Sequence, residues 1–501
     1  MRSKRSFFAA ALAGAAGIAA ALAGPALAAS GPGVPAVSVP LPSGIPGPPV
    51  TPVAASAPTS IGTLDQAHPL LGFGGSVSYP TPLPVVSDPA PTVCAVECRE
   101  YRFVDSAPGT DFLAAIKNTA GGGTFDPDEG YDLYVYDPSG RLVASENGIG
   151  ANGQAALVHA ASAGTYTIVV AVTYAYDTGA GWTGEVRLIT PATWRPAPAT
   201  CGITVSGTTG CFELPALRVL PPYDFTASGV PPVASTPLGF PFPVSAPTPT
   251  SCYADETIGL DNPSVGNVEH PVTRCLRFTS DIQNVGAGEL TIGIPQLALD
   301  QSGQPESGYL PGDCHAIQYV TTASGSQVTR PAGDCEFHLE HAHFHYDALV
   351  GYSLRSVEPD GSIGPAVSVS QKESFCLTDD DYFGYGTAGP NGPRLNVGQP
   401  DCNVARQVTT PSSPGSGTYV VEGITPGWGD VYTWDTPDQF IDVTNVASGD
   451  YWVVEETNPN GSILVSGAPQ TCSATEIQLT RGSSSDTVKQ LQSVAGVTCP
   501  G

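Results

Sequence analysis

Short runs of alternating apolar and polar residues recur along the chain, and a period of two is typical of β-strands that bury one face. Two of these runs are joined by the sequence Asp-Pro-Ser-Gly, which favours a β-turn. No run from residue 252 onward has the periodicity of a helix. The sequence therefore predicts an all-β protein, with strands at 131–136, 141–144, 165–173, 184–189, 275–280, 439–444 and 450–455.

The N-terminal residues differ from the rest of the chain in composition. Arg2, Lys4 and Arg5 precede an apolar run, and Ala-Leu-Ala at 26–28 is typical of a signal-peptide cleavage site. A membrane anchor is the alternative, but the run is mostly Ala and Gly and no stop-transfer pattern follows it. We expect residues 1–28 to be a signal peptide and the protein to be secreted, with no membrane span.

Proline-rich stretches separate the remaining segments of the chain. Residues 29–89 have the composition of an extended tether. Residues 90–192 contain short strands at the spacing of a small β-sandwich, and 193–210 is a linker. The segment 211–501, which includes a proline-rich stretch at 226–251, predicts a larger β-rich domain held together by disulfides.

The predicted sandwich resembles the accessory modules of the pre-peptidase C-terminal type that many secreted bacterial enzymes carry. The resemblance rests on the strand–turn–strand pattern at 131–144 and on the later sequence GTYTIVV. Four acidic residues lie at the start of this hairpin: Asp126, Asp128, Glu129 and Asp132. Such carboxylates can bind calcium, whereas a solvated acidic loop explains them as well.

The chain is strongly acidic, with a formal net charge of −27 and only four lysines. This balance argues against nucleic acid as a partner, because few cations are available to neutralise phosphates. An acidic surface instead attracts small cations, and protonated amines are among them.

Twelve cysteines, an even number in a protein expected to be exported, predict structural disulfides. None of them forms a Cys-x-x-Cys pair, which weakens a zinc-ribbon or redox interpretation. Sequential pairing is the simplest hypothesis, although sequence alone leaves other connectivities open. The pairs would be Cys94–Cys98, Cys201–Cys211, Cys252–Cys275, Cys314–Cys335, Cys376–Cys402 and Cys472–Cys499.

Four of the eight histidines lie within one short segment: His338, His341, His343 and His345. The last three are spaced by two, so that on a strand they project from one face about 7 Å apart. Imidazoles in this arrangement can converge on one metal ion, and histidines without a nearby thiolate favour copper or zinc. His338 breaks the alternation, which indicates a hydrogen-bond partner of a ligand rather than a ligand. Asp347 is a further candidate for that role or for a general base.

The pattern His-x-x-His-x-His-x-His at 338–345 resembles the copper-binding segment of lysyl oxidases. The resemblance continues downstream in the same order, since QKESFCL at 371–377 is similar to the family's lysine segment and 430–444 to its tyrosine segment. Upstream, LPAL at 214–217 and LRF at 276–278 match the start of the family's domain and an early strand. The resemblance thus extends over the predicted larger domain.

This resemblance implies an amine oxidase with two cofactors, copper and a lysyl tyrosylquinone that is built from the protein's own side chains. Carried over position by position, the copper ligands are His341, His343 and His345, and the quinone forms from Lys372 and Tyr432. The implied reaction uses oxygen to convert a primary amine to an aldehyde, with release of ammonia and hydrogen peroxide. The amine is either a small molecule or a lysine side chain of a protein.

Three positions depart from the pattern of the animal members. Glu340 and Asp438 stand where those members have cysteines, and a histidine that follows their copper segment is replaced near Gly351. The disulfide pairing and the catalytic base therefore stay open. Two other classes of function also remain: a non-catalytic protein that binds copper or zinc, and an adhesion protein whose sandwich presents the larger domain to a partner.

Overall fold

In a computed structural model the chain forms strands and turns, and no helix occurs among the residues that the structure describes. The predicted all-β fold is thus confirmed. The same residues include no helix with the length and hydropathy needed to cross a membrane. One compact unit spans Pro52–Gly501. The described residues are 57–78, 98–118, 129–146, 153–159, 161–175, 179–190, 198–223, 225, 252, 272–295, 314–338, 343–370, 372, 374–384, 402, 405–408, 417–434, 436, 438–468, 470–483 and 486–500.

The first part of this unit is a sandwich of two sheets. Within the described residues its strands are β1 (Thr59–Leu64), β2 (Leu70–Ser78), β3 (Cys98–Asp105), β4 (Phe112–Asn118), β5 (Glu129–Tyr136), β6 (Leu142–Glu146), β7 (Gly153–Val158), β8 (Gly164–Ala175) and β9 (Gly179–Leu188). One sheet has the order β1-β3-β8-β5-β6 and the other the order β2-β9-β4-β7.

The two sheets bury their alternating apolar residues against each other. Phe103 of β3 and Tyr166 of β8 pack against Phe112 of the opposite sheet, with ring centres 5.2 and 5.0 Å from that of Phe112. The predicted turn joins β5 to β6, where the Asp137 carboxylate accepts a 2.9 Å hydrogen bond from the amide of Ser139. The strands expected from the period of two are therefore present in this part of the chain.

Strands also occur in segments that the composition assigned to connections. β1 and β2 lie inside the predicted tether 29–89, yet β1 pairs with β3 and β2 pairs with β9. Glycine and serine make up more than half of β2, so its composition resembles that of a linker, although Leu71, Phe73 and Val77 alternate along it. The predicted signal peptide 1–28 and the proline-rich stretch 226–251 lie outside the described residues.

The second part of the unit contains four further sheets within the described residues. The longest path runs β21-β18-β17-β16-β15-β24-β23, with the β10–β11 hairpin attached to β16, and the others are β12-β14-β25-β22, β13-β26 and β20-β19-β27-β28-β29. β10 lies inside the predicted linker 193–210. The strands are β10 (Thr200–Val205), β11 (Thr208–Glu213), β12 (Leu217–Val219), β13 (Cys275–Arg277), β14 (Ser280–Asn284), β15 (Leu290–Pro295), β16 (Cys314–Thr322), β17 (Gln327–His338), β18 (His343–Asp347), β19 (Val350–Val357), β20 (Ile363–Val369), β21 (Ser374–Phe375), β22 (Asp381–Tyr382), β23 (Ala405–Val408), β24 (Gly417–Ile424), β25 (Trp428–Tyr432), β26 (Phe440–Asp442), β27 (Gly449–Thr457), β28 (Cys472–Thr480) and β29 (Thr487–Val497).

Disulfides join cysteines that are neighbours in the sequence, as predicted. The bonds Cys201–Cys211, Cys252–Cys275, Cys314–Cys335, Cys376–Cys402 and Cys472–Cys499 are all present. Cys98 is also disulfide-bonded, while Cys94 lies outside the described residues. Each bond closes a loop of ten to twenty-seven residues, which stabilises the fold by roughly 2–4 kcal/mol in the chain-entropy account.

The sandwich packs directly on the larger part. Leu113, Ala115 and Ala155 of the sandwich belong to the same buried apolar cluster as the core of the larger part. The amide of Gly153 donates a 3.1 Å hydrogen bond to the Asp381 carboxylate. The sandwich is therefore a structural neighbour of β22.

Candidate functional site

One short segment of the chain makes three contacts with the candidate site. Nζ of Lys372 lies 4.8 Å from the centre of the Tyr432 ring. The Ser374 hydroxyl lies 3.0 Å from Nδ1 of His345, and the carbonyl of Cys376 accepts a 2.8 Å hydrogen bond from the Tyr432 hydroxyl. The segment thus connects the strand of histidines with the strand that carries the tyrosine.

Strand pairing explains why this segment lies where it does. β21 pairs with β18, in a register that places Tyr346 opposite Phe375 and Asp347 opposite Ser374. The Phe375 ring packs edge-on against that of Tyr432, with centres 5.1 Å apart, and Nζ of Lys372 lies 5.0 Å from the Phe375 ring. Nζ of Lys372 therefore lies against two adjoining aromatic rings, whose faces attract a cation.

Burial shifts the pKa of both side chains. Lys372 is 5% exposed and Tyr432 is 9% exposed. Burial lowers the pKa of Lys372, an effect that Asp438, Asp430 and Glu336 oppose in that order. Burial raises the pKa of Tyr432 well above its usual value, so the ring is a neutral phenol at pH 7. A lowered pKa increases the fraction of Lys372 that is an uncharged amine and hence a nucleophile.

Three nearby carboxyls raise the pKa of Tyr432 further: Asp430, Asp380 and Glu422. Asp380 accepts a 2.8 Å hydrogen bond from the Thr378 hydroxyl and another from Asp430. Burial, and after it the charge of Asp380, raises the pKa of Asp430 well above its usual value. Burial therefore favours the neutral form of Asp430, which donates a hydrogen bond to Asp380 and lies two residues before Tyr432 on β25.

The predicted metal ligands are only partly within the described residues. His345 lies on β18 and is 1% exposed. The backbone of His343 is paired with that of His338 on β17, and Phe344 between the two histidines is buried in the core, as the alternation predicted. His341 lies outside the described residues. The proposed roles of these histidines, and of Asp347 at the end of β18, stay predictions.

Two of the four candidate calcium ligands likewise lie outside the described residues. Asp126 and Asp128 are not described, and Asp132 on β5 accepts a 2.8 Å hydrogen bond from the Tyr134 hydroxyl. A calcium site in the sandwich therefore stays a prediction.

Comparison with known proteins confirms the resemblance that the motifs indicated. Over 139 residues the chain is 30% identical to lysyl oxidase homolog 1 from Homo sapiens, a match of 27% of this chain and 19% of that protein. The protein of the same name from Bos taurus matches with the same identity and 18% coverage. The chain thus matches less than a fifth of the length of these curated relatives. No protein-family model matches the chain.

A solved structure also matches a part of the chain. It is the pre-peptidase C-terminal domain of a collagenase from Bacillus anthracis, with 17% sequence identity and a TM-score of 0.16. The match covers 26% of this chain and 95% of that domain.

Glu456, Cys472 and Cys499 are the one group of three potential metal-ligating side chains that converge within the described residues. Its two cysteines form a disulfide, so their sulfurs are not available as thiolates. The histidine segment is thus the better candidate for a metal centre. His345 fits a copper ligand because imidazole suits copper, and Lys372 and Tyr432 fit a lysyl tyrosylquinone because the amine already faces the ring.

The sequence pointed to Lys372, Tyr432 and the histidines but not to the groups that surround them. Ser374 and Glu336 lie within the lysine and histidine segments, but the sequence assigns neither of them a role. The sequence also gives no reason to select Asp380 as a residue of the site. One signal was available: Lys372, Ser374 and Cys376 are spaced by two, as residues on one side of an extended segment are.

Proposed function

We propose that this protein is a secreted copper-dependent amine oxidase. It oxidises primary amines to aldehydes with oxygen, releases ammonia and hydrogen peroxide, and uses a lysyl tyrosylquinone made from Lys372 and Tyr432. The observation that carries the proposal is the 4.8 Å distance between Nζ of Lys372 and the centre of the Tyr432 ring, for two residues sixty positions apart. The local similarity to lysyl oxidase homolog 1 supports the same reaction class.

In this proposal His341, His343 and His345 hold the copper ion. Copper and oxygen would supply the oxidation of the Tyr432 ring, and the resulting quinone would accept the electrons of the amine. Lys372 contributes an amine whose pKa is lowered by burial, so that it can add to a ring carbon. The Cys376 carbonyl orients the Tyr432 hydroxyl, and the Asp430–Asp380 pair stores a proton nearby.

Secretion is part of the proposal. The disulfides of the described residues are typical of an oxidising compartment, and the N-terminal sequence has the pattern of a signal peptide. The proposed amine is a small molecule or a protein lysine, since both offer the same primary nitrogen.

The decisive experiment is peptide mapping by mass spectrometry after copper loading in air. We expect one cross-linked species that contains the peptides of both Lys372 and Tyr432, together with reaction with phenylhydrazine and release of peroxide from a primary amine. Lys372→Met is the matched variant, because methionine fills a similar volume without an amine. It should bind copper and form neither the cross-link nor the phenylhydrazine adduct. Separate, unmodified Lys372 and Tyr432 peptides from copper-loaded wild type would refute the proposal.

A further inference from the structure

A chain of hydrogen bonds runs from Glu336 through Ser374 to His345. The three residues lie on three adjacent strands, since Glu336 on β17 is in register with His345 on β18, and β18 pairs with β21, which carries Ser374. The Ser374 hydroxyl donates to Oε1 of Glu336 and lies 3.0 Å from Nδ1 of His345. All three side chains are buried.

The direction of these bonds determines the tautomer of His345. A hydroxyl has a single hydrogen, and an ionised carboxylate can only accept. Because Ser374 gives its hydrogen to Glu336, its oxygen can only accept from His345. Nδ1 of His345 therefore carries the ring hydrogen, and Nε2 carries the lone pair that can bind a metal.

We propose that Ser374 and Glu336 are positioning residues that fix the Nδ1–H tautomer of His345 and present its Nε2 to the copper ion. This inference rests on the proposed function, because it takes His345 to be a ligand. It assigns a role to two residues that carry none in the oxidase chemistry itself. An acceptor behind a ligating imidazole also fixes the ring orientation and increases the electron density at the bound nitrogen.

The test compares copper binding by full-length variants. Ser374→Ala removes the acceptor of the Nδ1 hydrogen, and we expect the Kd for Cu(II) to rise by about 10-fold or more. Ser374→Thr keeps a hydroxyl and should bind copper like the wild type. Glu336→Gln should have a smaller effect than Glu336→Ala, since the amide oxygen of glutamine can still accept from Ser374. Ser473→Ala is the matched control, because it removes another buried hydroxyl, one that donates a 2.7 Å hydrogen bond to Val219 far along the chain.

A spectroscopic readout separates positioning from general destabilisation. Pulsed electron paramagnetic resonance of the Cu(II) protein detects the nitrogen of a ligating imidazole that is remote from the metal, and its quadrupole coupling responds to hydrogen bonding. We expect this signal to change for one imidazole in Ser374→Ala and to return to the wild-type value in Ser374→Thr. The melting temperature of each variant shows whether it is folded. If Ser374→Ala does not fold, Ser374→Thr and Glu336→Gln supply the comparison.

His345→Ala separates failure of this inference from failure of the proposed function. Wild-type copper affinity in His345→Ala would show that this histidine is not a ligand. That result would refute both the proposed copper site and the positioning role of Ser374 and Glu336. Weakened binding in His345→Ala with unchanged affinity and unchanged remote-nitrogen signal in Ser374→Ala and Glu336→Ala would overturn this inference alone. Equal effects of Ser374→Ala and Ser473→Ala would overturn it as well.

Discussion

Asp379 offers a direct test of how burial controls the acids around the candidate site. It is 2% exposed, and its Oδ1 accepts a 2.7 Å hydrogen bond from the amide of Thr425. Burial raises its pKa to about 7, against the opposing effect of the hydrogen bonds from Thr425. Asn at this position would keep the acceptor oxygen and carry no charge at any pH.

The expected magnitude follows from the difference between the folded and unfolded pKa values of Asp379. In the unfolded chain the carboxyl has its ordinary pKa of 3.8, so the folded state holds the proton more tightly. Stability is unaffected well below pH 4 and falls as the pH rises from about 4 to about 7, by about 1.4 kcal/mol for each pH unit. The full loss is about 4 kcal/mol at pH 8. The free energy of unfolding of Asp379→Asn minus that of wild type should therefore be larger at pH 8 than at pH 4.5, by about 3 kcal/mol.

Urea unfolding of both proteins at pH 4.5 and pH 8, followed by tryptophan fluorescence, measures this difference. Asp137→Asn is a control whose offset from wild type should be the same at both pH values, because hydrogen bonds from Ser139 and Arg141 lower the pKa of Asp137 to about 2, below the range of the assay. The stability that Asp137 contributes is present above about pH 4 and is lost as the pH falls towards 2. An offset between Asp379→Asn and wild type that is the same at both pH values would refute the reasoning.

Three further predictions concern the same framework. Copper-free Lys372→Met should be more stable than wild type at pH 7, and this difference should shrink as the pH approaches 10. The reason is that the lowered pKa of Lys372 makes the stability of wild type rise with pH. Urea unfolding of the two proteins at pH 7 and pH 10 measures the difference. Gly153→Ala should lower the melting temperature more than Gly210→Ala. A Cβ at Gly153 would lie 2.8 Å from the Tyr382 carbonyl oxygen, whereas a Cβ at Gly210 would have no atom within 4 Å. Equal melting temperatures of the two variants would contradict the observed packing of the sandwich on β22. Tyr346→Phe should lower the free energy of unfolding by about 1–3 kcal/mol, because the hydroxyl donates to the Ala332 carbonyl at 2.6 Å; no change in urea midpoint would show that this bond is not needed.

The strands and disulfides could be predicted because they depend on local sequence. Runs such as 165–173 and 450–455 carry the period of two that a half-buried strand requires, and β8 and β27 contain them. The five disulfides within the described residues join neighbouring cysteines, so their loops are short and close easily. β2 was not predicted, because its glycine and serine residues obscure the alternation of apolar and polar positions.

The candidate site could be predicted only in part, because its surroundings depend on long-range packing. The resemblance to lysyl oxidases paired Lys372 with Tyr432, and the structure places them side by side, while their chemical roles stay predictions. The burial of Asp381 and Asp430 could not be anticipated, since an acidic residue in a sequence is normally expected at the surface. Their environment forms only when β25 is enclosed between β14 and β22.

We expect the stretch from Lys372 to Cys376 to tolerate no change in length. Its contacts with the tyrosine ring and with the histidine are two residues apart, so a single inserted or deleted residue between them would turn one of the two side chains to the opposite side of the chain. Substitutions can alter these contacts one at a time, but an indel would disconnect the lysine from the imidazole in one step. Libraries that vary loop length elsewhere in the chain should therefore keep the number of residues in this five-residue stretch unchanged.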